Sequence, residues 1–327
     1  MNADPLLQCE ACGAWMVGGD CFCEACGART TPEAAVAQQR SAVECHGCGA
    51  PFAARDADGY CSVCGVRERT APARIEIDLA VAAAVSDQGH MRCRNEDAFH
   101  LERFNGGVVA VVCDGVGTSE SADVAARCAA GVASAVLLAS ARSGSVTPAA
   151  ASADAVHAAQ TSVCALAVEG DPSCTLVSAL VRADDFVIAS VGDSRAYWIA
   201  PNDARQLTVD DSWADEQLAA GLDAEQAAAD PRARSITRWI GADAPDGGSQ
   251  LATVEPDVPG RLVLCTDGLW NYVPGPAELA QLVDGVGAGA RATAVAHALA
   301  DIALSRGGHD NITVAVVDVR PQRRSLR

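Results

Sequence analysis

Two short apolar runs in this sequence end on an aspartate that is followed by glycine. They are "VVAVVCDGVG", which contains Asp114 and Gly115, and "RLVLCTDGLW", which contains Asp267 and Gly268. One aspartate–glycine pair after a strand is ordinary turn chemistry. Two such pairs, each at the end of a buried strand, favour a site at which the two carboxylates meet.

Further acidic residues stand at similar strand-to-loop transitions. They are Glu96 and Asp97 in "CRNEDAF", Asp193 in "SVGDSRAYW" and Asp310 in "GGHDNITV". Carboxylates and water are hard ligands that favour Mg²⁺ or Mn²⁺, and no pair of histidines offers a zinc hydrolase site. Gly115 has no Cβ, so its carbonyl can approach a cation closely. Divalent cations held by such carboxylates could lower the pKa of a bound water and so support hydrolysis.

A second metal-binding pattern lies near the N-terminus, where eight of the 15 cysteines form four C-x2-C pairs. The spacing duplicates a zinc-ribbon pattern, and two structural zinc ions would supply the folding free energy of so small a module. The predicted ligands are Cys9, Cys12, Cys23, Cys26, Cys45, Cys48, Cys61 and Cys64. Cys21 is an alternative to Cys23, and rubredoxin-like iron is an alternative to zinc.

Charge and composition exclude several classes of function. All 24 basic residues are arginine, which excludes Walker-type nucleotide loops, Schiff-base lysines and the protein-kinase ATP lysine. The net charge of -18 opposes binding to a nucleic-acid backbone. The first 73 residues hold nine acids against five arginines, so we expect the ribbons to be structural or protein-binding.

The N-terminal sequence "MNADPLLQCEACG" lacks the basic and apolar regions of a secretory signal. No apolar run reaches the roughly 18 residues that a membrane span needs. We therefore predict a cytoplasmic protein in a reducing compartment, with no membrane association.

The predicted elements divide the chain into a double zinc-ribbon module at residues 1–70 and a second domain at residues 75–320, joined by the polar segment "RERTAPAR". Strand candidates include "IEIDLAVAAAVS", "GGVVAVVCD", "GRLVLCTD", "NITVAVVDV" and a hairpin that turns at "RADD". Five helix candidates lie between them, and the two longest start at "SADVAARCAAG" and "PAAASADAVHA". Strands often follow one another directly, which predicts antiparallel sheets with helices outside, an α+β layered fold.

The motifs "SDQGHMRCRNEDAF", "VVAVVCDGVG", "VGDSRAYW", "LVLCTDGLW" and "HDNITVAVV" follow one another in the order typical of the metal-dependent, type-2C serine/threonine protein phosphatases. The chain resembles that family over roughly residues 75–320. The resemblance implies a four-layer α-β-β-α sandwich with a two-metal centre at one end of the sheets. It also implies a phosphatase that acts on phosphoserine and phosphothreonine in phosphoprotein substrates, without a covalent intermediate.

The same resemblance implies a role for each acidic residue. Asp114 would bridge two Mn²⁺ or Mg²⁺ ions, with the carbonyl of Gly115 on one of them. The other implied ligands are Asp267 and Asp310 on the second ion, Glu96 and Asp97 acting at or just behind the ions through water, and Asp193 on a weaker third ion. Arg92 matches the phosphate-binding arginine of the family, and Asp97 and Asp114 complete the predicted catalytic set with it.

Two departures from the family pattern affect these expectations. The family places a histidine, the proposed acid for the leaving alkoxide, where this loop has Ser119. A hydroxyl is a poor general acid near neutral pH, so water, another group or slow turnover must account for that step. Asp211 replaces a histidine and adds negative charge to a region near substrate. The alternative function is therefore a catalytically weak phosphatase-fold adaptor or sensor, whose ribbons bind a protein partner.

Overall fold

The structure is a computed structural model of the chain, and it describes residues 6–8, 15–17, 63, 73–92, 94–116, 121–167, 171–245, 247–287 and 289–321. The chain divides into two units, Met1–Thr70 and Ala71–Arg327. In the first unit, strand β1 (Leu6–Gln8) pairs antiparallel with β2 (Trp15–Val17). The eight cysteines that we predict to bind zinc lie outside the described residues, as does Ser119.

The second unit contains two large antiparallel sheets and one small one. The five-stranded sheet has, in spatial order, β14 (Gln250–Val254), β10 (Phe186–Val191), β9 (Leu176–Arg182), β6 (Gly107–Cys113) and β5 (Ala98–Phe104). The six-stranded sheet has β12 (Asp203–Gln206), β11 (Arg195–Ala200), β15 (Gly260–Cys265), β16 (Ile312–Val319), β4 (Ala82–Asp87) and β3 (Arg74–Asp78). The small sheet has β13 (Ile240–Gly241), β8 (Ser173–Cys174) and β7 (Gly115–Val116).

Helices cover the outer face of each large sheet. The long helices α1 (Ala122–Ser143) and α2 (Pro148–Cys164) pack on the five-stranded sheet. The six-stranded sheet is covered by α6 (Pro276–Gly285) and α7 (Ala292–Ser305). Three shorter helices complete the unit, namely α3 (Trp213–Ala219), α4 (Ala224–Ala229) and α5 (Asp267–Trp270).

Three hydrophobic clusters lie between these layers. Strand β6 contributes side chains to two of them, because its successive side chains point to opposite faces of the sheet. Val109 and Val111 belong to the cluster under α1 and α2. Val108, Ala110 and Val112 belong to the cluster between the two sheets. Successive side chains of a strand point to opposite faces, so a strand buried on both faces reads as a continuous apolar run. The predicted mixed fold of helices and sheets is confirmed.

The prediction of one long strand at "IEIDLAVAAAVS" is wrong, because the chain turns between β3 and β4. Ala80 has a φ of 68°, and its N–H donates a 2.8 Å hydrogen bond to the side chain of Asp78. No glycine or proline marks this turn in the sequence, so the apolar residues on both sides of it look like one continuous strand. The turn at "RADD" is present as predicted, where Arg182 and Asp185 close the β9–β10 hairpin.

Helix α1 corrects another sequence-based expectation. By length and composition it is apolar enough to cross a membrane, so the prediction that no segment qualifies is wrong. Nine of its residues are nevertheless buried within this unit, and six of them are alanines between Ala122 and Ala133. These small side chains let α1 pack closely on α2 and on the sheet below it.

Candidate metal centre

The antiparallel pairing brings the predicted acidic residues to one end of the two sheets. Asp267 follows β15 and Asp310 lies just before β16, whose ends are adjacent because Cys265 pairs with Val314. On the other sheet, Asp114 follows β6 and Asp97 precedes β5, and these strand ends are adjacent because Cys113 pairs with Ala98. The strands thus hold carboxylates from distant parts of the sequence at one edge of the sandwich.

The carboxyl groups of Asp114 and Asp267 lie close enough to interact directly, although Asp114 follows a strand of one large sheet and Asp267 follows a strand of the other. Burial and then the charge of Asp310 raise the pKa of Asp267 to about 6. Burial and then the charges of Asp97 and Asp267 raise the pKa of Asp114 well above its ordinary value. Two carboxyls in contact cannot both ionise cheaply, and a bound cation relieves that repulsion.

Asp97 lies behind this pair and is buried. Its Oδ2 accepts a 2.9 Å hydrogen bond from the hydroxyl of Thr266, whereas its Oδ1 is buried without a hydrogen-bond partner. Burial raises the pKa of Asp97 to about 7, and the charges of Asp267 and Asp310 act in the same direction. A buried carboxylate oxygen without a donor is costly, so this atom fits a cation or a water that a cation holds.

Asp193 reaches the site from the turn between β10 and β11, where the chain passes from one large sheet to the other. Burial and then the charge of Asp267 raise its pKa to about 7. Its main-chain carbonyl accepts a 2.9 Å hydrogen bond from the indole N–H of Trp270. Trp270 belongs to the one-turn helix α5 that begins at Asp267, so this bond connects the two acid-bearing segments.

The phosphate-binding arginine that we predicted lies at the same edge. Nη2 of Arg92 is 2.6 Å from Oδ2 of Asp310, and the guanidinium group is about half exposed. Glu96 also lies here, where its Oε1 accepts a 2.7 Å hydrogen bond from Nε of Arg94. A Cβ added at Gly115 would come within 2.7 Å of the carbonyl oxygen of Glu96, so glycine allows these two segments to cross.

Sequence reasoning missed Asn311, although it stands beside Asp310. Its Nδ2 donates to the carbonyls of Gln88 (2.8 Å) and Arg94 (3.0 Å), and its Oδ1 accepts from the N–H of Glu96 (2.7 Å). Asn311 therefore holds the "SDQGHMRCRNED" segment against the start of β16. The only sequence signal was a polar residue directly before an apolar strand, and only the structure shows that this residue is buried.

Arg195 is a second residue that sequence reasoning missed. Its guanidinium group lies 3.9 Å from the ring centroid of Trp270, and its Nη2 donates a 2.7 Å hydrogen bond to Asp210. Because Trp270 holds the Asp193 carbonyl, Arg195 supports the Asp193 turn through the indole.

We predicted that Asp211 adds negative charge near the substrate, but the structure gives this residue a different role. The structure buries its side chain, and Oδ2 accepts a 2.9 Å hydrogen bond from the N–H of Gly192. Oδ1 accepts from Gln250 at 2.9 Å. Asp211 thus holds the turn that carries Asp193.

The donor set at this edge consists of carboxylate oxygens, which suits Mg²⁺ or Mn²⁺ better than zinc. In the described part of the chain, no three histidine, cysteine, aspartate or glutamate side chains already form a closed ligand cluster. The carboxyl groups of Asp114 and Asp267 instead lie beside each other, and the carboxylate of Asp310 pairs with the guanidinium group of Arg92. Together with the unpartnered Oδ1 of Asp97, these residues fit the cations that the sequence predicts.

The family model described as "Protein phosphatase 2C" matches residues 90–303. The serine/threonine phosphatase stp of Listeria welshimeri is 36% identical over 147 residues, which are 44% of this chain and 56% of that relative. The match therefore spans about half the length of that relative.

Solved structures share the fold. The Mycobacterium tuberculosis serine/threonine phosphatase PstP/Ppp superposes with a TM-score of 0.63 at 26% identity, covering 73% of this chain and 98% of that one. The catalytic domain of PstP in complex with two manganese ions superposes with a TM-score of 0.59 at 24% identity, covering 75% and 99%.

Proposed function

The chain belongs to the protein phosphatase 2C family, and from this premise we propose that it is a metal-dependent protein serine/threonine phosphatase. The proposal rests on the close approach of the Asp114 and Asp267 carboxyls and on the charges of Asp97, Asp193 and Asp310, which lie near enough to raise the pKa of Asp114. A mutually repelling set of oxygen ligands at one edge of a sheet sandwich fits a pair of hard divalent cations. The name of the Listeria relative supports phosphoserine and phosphothreonine as substrates.

We propose for the ligands the roles that the family resemblance implies. Asp114 would hold both ions, the carbonyl of Gly115 would reach one of them, and Asp267 and Asp310 would hold the other. Glu96 and Asp97 would act at the ions or through bound water, and Asp193 would hold a weaker third ion. The two manganese ions in the PstP structure support Mn²⁺, and Mg²⁺ suits the same donors.

When bound, the divalent ions lower the pKa of water and neutralise charge on the phosphate ester. Arg92 supplies a planar fork of N–H donors that matches two phosphate oxygens. Its 2.6 Å contact with Asp310 holds the guanidinium group at the edge where the carboxylates converge. Asp97, whose Oδ2 is fixed by Thr266, offers Oδ1 as an acceptor for a water proton.

For residues 1–70 we propose a separate module that holds two structural zinc ions and binds a protein partner. The duplicated C-x2-C spacing supports the zinc sites, and the acidic composition supports a protein partner over nucleic acid. The antiparallel strands β1 and β2 flank the first cysteine pair in the sequence. We further propose a reducing, cytoplasmic setting, with which the free thiols of the described cysteines agree.

The test is release of phosphate from phosphoserine and phosphothreonine peptides by the full chain, with and without Mn²⁺. We expect metal-dependent hydrolysis, and the Asp267→Asn variant should lower kcat/KM at least about 100-fold. Asp284→Asn is the matched control, because Asp284 is exposed on α6 and belongs to no part of the proposed centre. Equal rates for the wild type and Asp267→Asn would reject the enzyme and favour the adaptor.

A further inference from the structure

Thr175 lies directly opposite Asp114, at a break in the strand pairing. On one side of the break Val112 pairs with Val177, and on the other side Gly115 pairs with Cys174. The register is continuous across the break, so Asp114 and Thr175 face each other. Neither residue belongs to a strand.

The hydrogen bonds at this break differ from those of a regular ladder. In a hydrogen-bonded antiparallel pair, each residue donates its N–H to the carbonyl of the other. Thr175 does donate its N–H to the carbonyl of Asp114, at 2.8 Å. The N–H of Asp114, however, donates to the hydroxyl Oγ1 of Thr175, at 3.1 Å. A side-chain atom therefore fixes the main chain of the residue to which we assign the bridging role.

The same hydroxyl extends to the neighbouring turn. Oγ1 of Thr175 lies 2.7 Å from Oγ of Ser194, and both side chains are about 1% exposed. A threonine hydroxyl has one hydrogen and two lone pairs, so it can accept from Asp114 and still bond to Ser194. Ser194 follows Asp193 in the chain, so a single buried oxygen connects the main chain of Asp114 to the Asp193 turn.

The methyl group of Thr175 fixes the other side of that turn. A Cβ added at Gly192 would come within 2.7 Å of Cγ2 of Thr175, and Gly192 has a φ of +95°. The turn thus packs directly on this threonine. Trp270 ties the Asp193 turn to helix α5, whereas Thr175 ties it to Asp114.

We propose that Thr175 is a positioning residue of the metal centre, whose hydroxyl holds the segments of Asp114 and Asp193 at one fixed separation. The proposal rests on the proposed function, since it assigns both aspartates to divalent ions. Removing a group that hydrogen-bonds to a metal ligand and orients it commonly weakens metal binding about 10- to 100-fold. Thr175 itself touches neither substrate nor ion in this account.

The experiment measures Mn²⁺ binding by calorimetric titration of the full chain after dialysis into metal-free buffer, which keeps the proposed tightly bound zinc in place, with thermal unfolding recorded in parallel. Thr175→Val keeps the shape and removes the hydroxyl, and we expect Mn²⁺ affinity to fall about tenfold. Thr175→Ser keeps the hydroxyl and should restore affinity to within about threefold of wild type. Ser178→Ala is the matched control, because Ser178 is a buried hydroxyl of β9 without a hydrogen-bond partner. Its Mn²⁺ affinity should equal that of wild type.

The outcomes separate this proposal from the function on which it rests. Wild-type affinity in a folded Thr175→Val variant would overturn the positioning role and leave the phosphatase proposal standing. Absence of Mn²⁺ binding by the wild type would overturn the metal centre itself. If Thr175→Val does not fold, Ser194→Ala removes the other end of the same hydrogen bond. Weaker Mn²⁺ binding by Ser194→Ala supports the positioning role, and unchanged binding overturns it.

Discussion

The main-chain carbonyl of Asn311 lies directly against the Cα of Gly268, so close that a Cβ at that position would overlap the oxygen. Gly115 meets the carbonyl of Glu96 in the same way, at 2.7 Å from its would-be Cβ. The two residues of each aspartate–glycine pair therefore have different roles. The aspartate supplies the carboxylate, and the glycine leaves room for the next acid-bearing segment to cross.

The close contact between Gly268 and the Asn311 carbonyl predicts that Gly268→Ala weakens metal binding, although Gly268 itself is not a proposed ligand. The added methyl group must push the Asp310–Asn311 segment away from α5, so we expect the variant to bind Mn²⁺ at least about tenfold more weakly and to unfold at a lower temperature. Gly131→Ala is the control, because a Cβ at this position of α1 meets no atom within 4 Å. We expect this control to be unchanged or stabilised by about 0.5–1 kcal/mol. Calorimetry and thermal unfolding of both variants decide the matter.

The raised pKa values predict how the stability of the metal-free protein depends on pH. Folding raises the pKa of Asp97 and Asp193 to about 7 and of Asp267 to about 6. Between about pH 4 and pH 7 the folded chain thus holds more protons than the unfolded chain, so its stability falls as the pH rises through that range. Each of the two groups at about 7 contributes roughly 2–3 kcal/mol to this loss and Asp267 about 1 kcal/mol, so we expect the free energy of unfolding to fall by about 6 kcal/mol between pH 5 and pH 8 in urea unfolding with chelator.

Two controls sharpen the pH prediction. Mn²⁺ should restore stability at pH 8, because the cation replaces the protons that the carboxyls have lost. Asp97→Asn removes one of the titrating groups and should flatten the pH dependence. A metal-free protein that grows more stable from pH 5 to pH 8 would show that these carboxyls do not repel one another.

The proposed role of Arg92 predicts that its substitution weakens the binding of substrate and leaves the binding of metal unchanged. Arg92→Lys keeps the positive charge but loses the planar fork, so KM for a phosphopeptide should rise about tenfold. Mn²⁺ affinity should stay within about twofold of wild type, because the substitution leaves the carboxylates in place. Arg142→Lys, in an exposed ion pair with Glu102, should change neither quantity. Steady-state kinetics would contradict the assignment if Arg92→Lys left KM unchanged.

The cysteine spacing predicts the metal content of the purified chain. Elemental analysis without added metal should find two zinc ions per chain, and Cys12→Ser should lower that number by about one because it removes a ligand of the first ribbon. Cys164→Ser is the control, since Cys164 is a free thiol at the end of α2. Iron in place of zinc, or no bound metal, would refute the zinc ribbons.

The sequence revealed the acidic residues because strand endings are visible in a sequence. A buried strand reads as an apolar run, and the first acid after it marks the place where the chain leaves the core. The order of the motifs then related strands that are far apart in the chain. The family and the mixed fold of helices and sheets followed from these motifs and are confirmed.

The supporting residues could not be found in this way. Thr175 and Asn311 act mainly through main-chain atoms of other segments, and a threonine or an asparagine beside a strand is unremarkable by type. The turn at Ala80 was missed because its left-handed conformation is adopted by a residue other than glycine. Strand β5 was missed because its polar residues His100, Glu102 and Arg103 interrupt the apolar pattern at the edge of the sheet.

The most direct test of the two-cation account is an anomalous difference map from crystals of the full chain grown with Mn²⁺. We predict two strong peaks at the edge of the sandwich, both within coordination distance of Asp114, with Asp267 and Asp310 on one of them. A single peak that Asp114 does not contact, or no peak at that edge, would contradict the account.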